Sequence, residues 1–235
     1  MGLQLVWRPL LVLLALAWAP VAGTIPVSGT LPDMFTGSLF PHDRAAAKSV
    51  PSLETFSETL PSANSHQVVG VYVSGKLALR VLEQPAGQPG YVTSQADAAS
   101  RFGLAGRFGT VGLIAHNTLA GGSFISLGDG DRIVVFYADG ERQVYVVERT
   151  RQLQAVSPWS PTSSFLDLEA PSALISAQTL FNQVYAGGFP VVLQTCLSKG
   201  ENSVWGRLFV LARPAPSQME AAVAAKLARL LGASG

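Results

Sequence analysis

One cysteine, Cys196, closes the apolar run Phe189-Pro190-Val191-Val192-Leu193-Gln194-Thr195-Cys196. A polar turn over 197–203 follows, and then a second β-rich run, 204–212, that carries Arg207. Two short β-rich runs about a Gly-containing turn read as neighbouring antiparallel strands. That layout sets a thiol at one strand's end and a permanent cation on the strand beside it. A thiol nucleophile needs a base or a cation to raise its thiolate fraction, and an imidazole to protonate a leaving amine. Of the three histidines, His42 and His66 fall in or beside a Pro/Ser/Thr-rich stretch and read as solvated. His116 instead ends the β-run 110–115 and, like Cys196, emerges from an apolar strand into a polar turn. The chemistry these types permit is nucleophilic catalysis, with strand ends of one sheet converging on one rim.

Taken singly, each residue also has a structural reading. A lone cysteine in an apolar strand packs as a small hydrophobe. A histidine after a strand makes a loop hydrogen bond, and an arginine in a strand pairs with a carboxylate. Asp129-Gly130-Asp131 is a turn before a strand rather than a calcium loop.

Composition narrows the classes. A net charge of +1 argues against a nucleic-acid partner, which would call for a clustered basic face. With 48% apolar and 13% charged residues the chain can bury a sizeable core, and one cysteine allows no internal disulfide, so packing alone must hold the fold. At the N-terminus, Arg8 precedes the apolar stretch 10–19, and small residues follow at Ala22 and Gly23. This is the pattern of a secretory signal over 1–23, too short for a bilayer span of about 20 residues unless Leu3, Leu5, Val6 and Trp7 extend it into an anchor. Membrane contact is expected only through such an uncleaved segment. No metal cluster, dinucleotide fingerprint or phosphate loop is visible, and no cofactor is expected.

The elements follow from periodicity. Residues 24–66 read as a Pro/Ser/Thr-rich extension, with order beginning near Gln67. β-rich runs at 68–73 and 77–82 flank the hairpin turn Ser74-Gly75-Lys76, and Thr93 or Ser94 is positioned to cap a short helix through 95–102. Strands are expected at 110–115, 132–137 and 142–150, with the Asp139-Gly140 turn between the last two. A loop over 157–171, a helix over 176–185 capped by Ser176, and the two final strands complete a domain over 67–214. An amphipathic helix carrying Met219, Val223, Leu227, Leu230 and Leu231 on one face follows in the tail 215–235. About eight strands with no βαβ rhythm predict a mostly β, closed antiparallel barrel with short helical crossovers.

Leu113-Ile114-Ala115-His116-Asn117, Thr195-Cys196 and Trp205-Gly206-Arg207-Leu208-Phe209-Val210 together resemble the sortase family of extracytoplasmic cysteine transpeptidases, over roughly residues 67–214. The resemblance implies a sortase-like β-barrel with Cys196 as nucleophile, His116 as general acid/base and Arg207 as oxyanion donor, and it makes Thr195 a substrate-binding candidate. The implied substrate is an LPXTG-like C-terminal sorting signal of a surface protein, cleaved through a thioacyl intermediate. The implied acceptor is an amine, such as a cell-wall peptide or a pilin lysine. Two readings stand beside it: a sortase-fold hydrolase in which water replaces the amine, and a non-catalytic barrel binding peptides or envelope polymers. Two departures, Ala115 before the histidine and Gln194 near the cysteine, bear on which peptide is accepted. Gln194 lies on the opposite pleat from Thr195 and is expected to face away from the nucleophile, with the nucleophile's side as the alternative. Trp205 reads as a packing residue.

Overall fold

The computed structural model describes residues 49–160, 162–170, 173–217 and 220. The expected export signal, the extension up to residue 48 and, apart from residue 220, the C-terminal helix over 218–231 lie outside the described residues. Within them the chain runs α1 (Leu53–Glu58), β1 (Val68–Val73), β2 (Leu77–Glu83), β3 (Ala98–Arg101), α2 (Gly103–Gly106), β4 (Val111–Ile114), a 3-10 helix (Ala120–Ser126), β5 (Arg132–Tyr137), β6 (Arg142–Ala155), β7 (Phe165–Asp167), β8 (Leu174–Ile175), α3 (Ala177–Tyr185), β9 (Val191–Lys199) and β10 (Asn202–Pro214). No helix among the described residues is long and apolar enough to cross a membrane.

Eight strands close into a barrel in the order β10-β9-β4-β3-β2-β1-β5-β6, sealed where β6 pairs back onto β10. The expected closed sheet forms, with β2–β3 and β4–β9 as parallel contacts in an otherwise antiparallel ring. The glycines of the two anticipated hairpin turns, Gly75 and Gly140, sit at φ +68° and +90°, where a side chain would be strained. Ser176 caps α3 by accepting from the Thr179 amide at 3.1 Å.

Burial explains why several strands read as continuous apolar runs. Val71, Leu79, Leu113, Ile133, Val135, Leu193 and Val210 fill the interior. Two further clusters cover the outside, so strands beneath them are buried on both faces. One lies under α3 and includes Ile114, Phe165, Leu180, Tyr185, Val192 and Phe209. The other lies under α1 and gathers Phe56, Val69, Tyr72 and Phe136.

Three expectations change. First, order begins before Gln67: Phe56 of α1, 4% exposed, stacks on Tyr72 at 6.0 Å and meets Phe136 edge-on at 5.7 Å. Gly70 admits this packing, since a Cβ there would stand 2.6 Å from Leu60 Cδ1. Second, the stretch read as a helix over 95–102 contains β3 instead. Ala98, Ala99 and Ser100 are buried between β2 and β4, and pairing on both sides overrides local propensity. Third, the loop over 157–171 holds β7, because Phe165 is fully buried and β7 adds to the outer end of β6, which extends five residues past Thr150. Asp131 closes its turn by accepting from Lys76 Nζ at 2.6 Å and from the Gly128 amide at 2.8 Å. Exposed His66 is more than solvated: it stacks on Tyr137 at 3.9 Å and bonds Asp139 at 2.9 Å.

Phe56→Ala should cost about 3 kcal/mol in urea unfolding, the usual penalty for an aromatic truncation in a core. An unchanged midpoint would return 49–66 to the status of a loose extension.

Candidate active site

The site is built by register. In the antiparallel pair of β9 and β10, Cys196 stands directly opposite Arg207, which places their Cα atoms about 4.5–5.5 Å apart. On the other side of β9, β4 runs parallel with Ile114 aligned to Gln194. The ladder continues one step beyond β4, the Ala115 amide donating to the Gln194 carbonyl at 3.2 Å. His116 follows in the turn beyond β4, at the same end of the barrel as the facing pair Cys196 and Arg207.

The pleat decides the face. Leu193, Leu197 and Leu208 point into the interior cluster, while Val192 and Phe209 belong to the cluster under α3. Alternation therefore turns Cys196 and Arg207 to the outer face. Ile114 is in the same outer cluster, two residues before His116.

Electrostatics at this site oppose one another. Cys196 keeps 1% of its surface, and that burial pushes the thiol up, only partly offset by the Arg207 charge. Burial likewise draws the His116 imidazole below its ordinary range, against the opposing pull of a hydrogen bond to the Val92 carbonyl. That bond defines which ring nitrogen carries the proton and orients the ring. Arg207, also 1% exposed, is solvated by the chain: Nη1 donates to the carbonyls of Val204 at 3.0 Å and Gly206 at 2.8 Å, and Nη2 donates to that of Pro158 at 3.4 Å. Burial lowers its pKa and the Cys196 thiolate raises it, but a guanidinium starting above about 12 stays charged. Two clefts, of about 300 and 530 Å3, are lined by other residues, so the sulfur opens into neither.

Two expectations about neighbours are corrected. Thr195 does not face the Cys196 side: it is fully buried on the inner face, and its hydroxyl donates to the Ala115 carbonyl at 2.9 Å. A substrate contact is thereby replaced by a brace that holds the backbone before His116. Gly121 lets the 3-10 helix settle on that brace, since a Cβ there would lie 2.3 Å from Thr195 Oγ1 and 2.5 Å from the Ala115 carbonyl oxygen. The Gly121 amide then donates to the His116 carbonyl at 2.9 Å. Gln194 does not face away from the nucleophile either. Residues two apart share a face, so Gln194 sits on the outer side with Cys196, where its Oε1 accepts from the Tyr185 hydroxyl. Trp205 packs against the interior cluster, with Lys199 Nζ 4.8 Å from its ring centroid. The turn after His116 is tied to the β9–β10 turn by Asn117 Nδ2, which donates to Ser198 Oγ at 2.8 Å and the Ser203 carbonyl at 2.9 Å. Val92, Pro158 and Tyr185 escaped sequence reasoning; the first two act through backbone carbonyls, which leave no trace in residue type.

No family model matches the chain, and no curated protein matches it. Sortases are among the solved structures that resemble it. Sortase A from Corynebacterium diphtheriae shares 14% identity over 66% of this chain and 63% of its own, with a TM-score of 0.40. The lid mutant of Streptococcus agalactiae sortase C1 shares 13% over 67% and 73%, with a TM-score of 0.38. Sortase C from Clostridium perfringens shares 14% over 70% and 82%, with a TM-score of 0.37. At these values the likeness assigns neither family nor activity, and the barrel rests on its own strand order and closure.

Proposed function

We propose that the chain is a sortase-like cysteine transpeptidase that works outside the cytoplasm on LPXTG-like sorting signals of surface proteins. The observation that supports this most is the direct opposition of Cys196 and Arg207 across β9 and β10, in the motif order that the sequence shares with sortases. In the proposed cycle, the Cys196 thiolate attacks the carbonyl carbon of the threonyl peptide bond. A C–S bond forms and the carbonyl π pair moves onto oxygen. Arg207 donates to that oxyanion, its Nη2 exchanging the Pro158 carbonyl for the substrate's. At 3.4 Å that resting bond is long and readily given up. Loss of such a donor typically costs about 3 kcal/mol at the transition state. As the C–N bond breaks, His116 gives its proton to the departing amine, leaving a thioacyl-enzyme. An incoming amine then loses its proton to His116 and attacks the thioester carbonyl, expelling the thiolate.

The charges make this a slow enzyme. With the thiol raised and the imidazole lowered, the neutral pair dominates near pH 7 and the reactive thiolate–imidazolium pair is a minority. The pH profile of peptide cleavage has its acid limb below the ordinary imidazole value of about 6.5 and its alkaline limb above the ordinary thiol value of about 8.5. Peptide binding must also uncover the sulfur. The 1% exposure of Cys196 favours a second reading, a non-catalytic barrel with the thiol merely packed.

Two measurements separate these readings. Iodoacetamide alkylation of Cys196 should rise with pH about a midpoint above the ordinary thiol range. Arg207→Ala should move it higher still, because the one opposing charge is gone. A midpoint at the ordinary value, indifferent to both Arg207→Ala and His116→Ala, excludes the catalytic pairing. With a fluorogenic LPXTG peptide, wild-type release should increase on adding hydroxylamine. Arg207→Lys should lose most of that activity while still folding, since an ammonium cannot reproduce the planar fork. Release that ignores the amine makes the protein a hydrolase.

A further inference from the structure

On the outer face of β9, Val192, Gln194 and Cys196 follow one another. Gln194 aligns with Ile114 on β4 and with Phe209 on β10, and keeps 2% of its surface. A primary amide in such surroundings costs free energy unless its polar atoms are engaged. The Tyr185 hydroxyl donates to Oε1. Burial lifts that phenol's pKa far above its ordinary value, so it remains a donor at any working pH. With Oε1 held, the amide plane is set and Nε2 points to the other side, where it donates to no group among the described residues. The bond to Tyr185 accounts for the amide oxygen, since leucine would leave that buried hydroxyl without its acceptor, but it leaves Nε2 unexplained.

We infer that Gln194 is a substrate-binding residue, its Nε2 donating to a backbone carbonyl of the peptide held at Cys196, with Tyr185 as the positioning residue that aims it. The ligand class is an extended peptide, recognised through its main chain. Residues two apart on a strand are separated by about 6.6–6.8 Å, and an extended peptide repeats its carbonyls on one side at that same interval. A peptide with its scissile carbonyl at the sulfur therefore sets another carbonyl, two residues away, beside Gln194. This rests on the transpeptidase reading above and adds a contact that neither His116 nor Arg207 supplies.

The test uses the full chain and a Leu-Pro-Ala-Thr chloromethyl ketone, from whose methylene carbon the Cys196 sulfur displaces chloride to form a thioether. Intact mass against time and probe concentration yields KI and kinact separately, and iodoacetamide serves as an alkylant with no peptide backbone. Gln194→Leu should raise KI about tenfold while kinact and the iodoacetamide rate stay within about twofold, as loss of one hydrogen bond requires. Tyr185→Phe keeps the amide but releases it, and should raise KI about threefold. A KI in Gln194→Leu equal to wild type overturns the inference. Where that variant does not fold, an unchanged KI in both Tyr185→Phe and Gln194→Met overturns it equally. A wild-type chain alkylated by iodoacetamide but untouched by the ketone removes the transpeptidase reading and this inference together. That outcome is distinct from a labelled chain whose KI ignores Gln194.

Discussion

The pairing of β9 with β10 is the constraint on which the rest depends. It sets Cys196 against Arg207, and a slip of one residue would separate them and turn the slipped strand's member to the interior, because side chains alternate with a period of two. Burial on both faces forbids that slip. Leu193 and Val210 are committed to the interior, and Val192 and Phe209 to the cluster under α3. Gly200, at φ +57°, makes the turn between the strands. On the other flank, Gly112 brings β4 against α2, where a Cβ would meet Ala105 Cβ at 2.7 Å. The same packing that fixes the fold thus fixes Cys196 against Arg207.

That packing also creates a conflict between stability and chemistry. A guanidinium with 1% of its surface left is tolerable because three carbonyl oxygens replace its water. The thiol beside it has no such compensation for ionising, and burial outweighs the attraction of Arg207. At rest the sulfur is therefore neutral and the guanidinium is engaged by the Val204, Gly206 and Pro158 carbonyls.

Much of this was legible in the residues, and the limits have physical causes. The closed barrel, the Ser74-Gly75-Lys76 and Asp139-Gly140 turns and the Ser176 cap follow from local chemistry. β3 did not, because Ala98 and Ala99 are strand residues only by virtue of their partners on β2 and β4. α1 was hidden by the prolines around it, and its order comes from Phe56 meeting Tyr72 and Phe136. At the site, types and spacing showed only that His116, Cys196 and Arg207 could converge on one rim, and their roles came from the resemblance to sortases. The strand pleat alone should have turned Gln194 toward Cys196 and Thr195 away from it. The hydrogen bonds from His116 to Val92 and from Arg207 to Pro158 involve main-chain oxygens, so no residue type announces them.

Intact-protein mass spectrometry after incubation with an LPXTG peptide tests the central claim most directly. The account predicts that Cys196 gains the mass of the acyl fragment ending in threonine, that hydroxylamine removes it, and that Cys196→Ala never acquires it. A wild-type chain that stays unmodified under conditions where iodoacetamide reaches its sulfur would contradict the account.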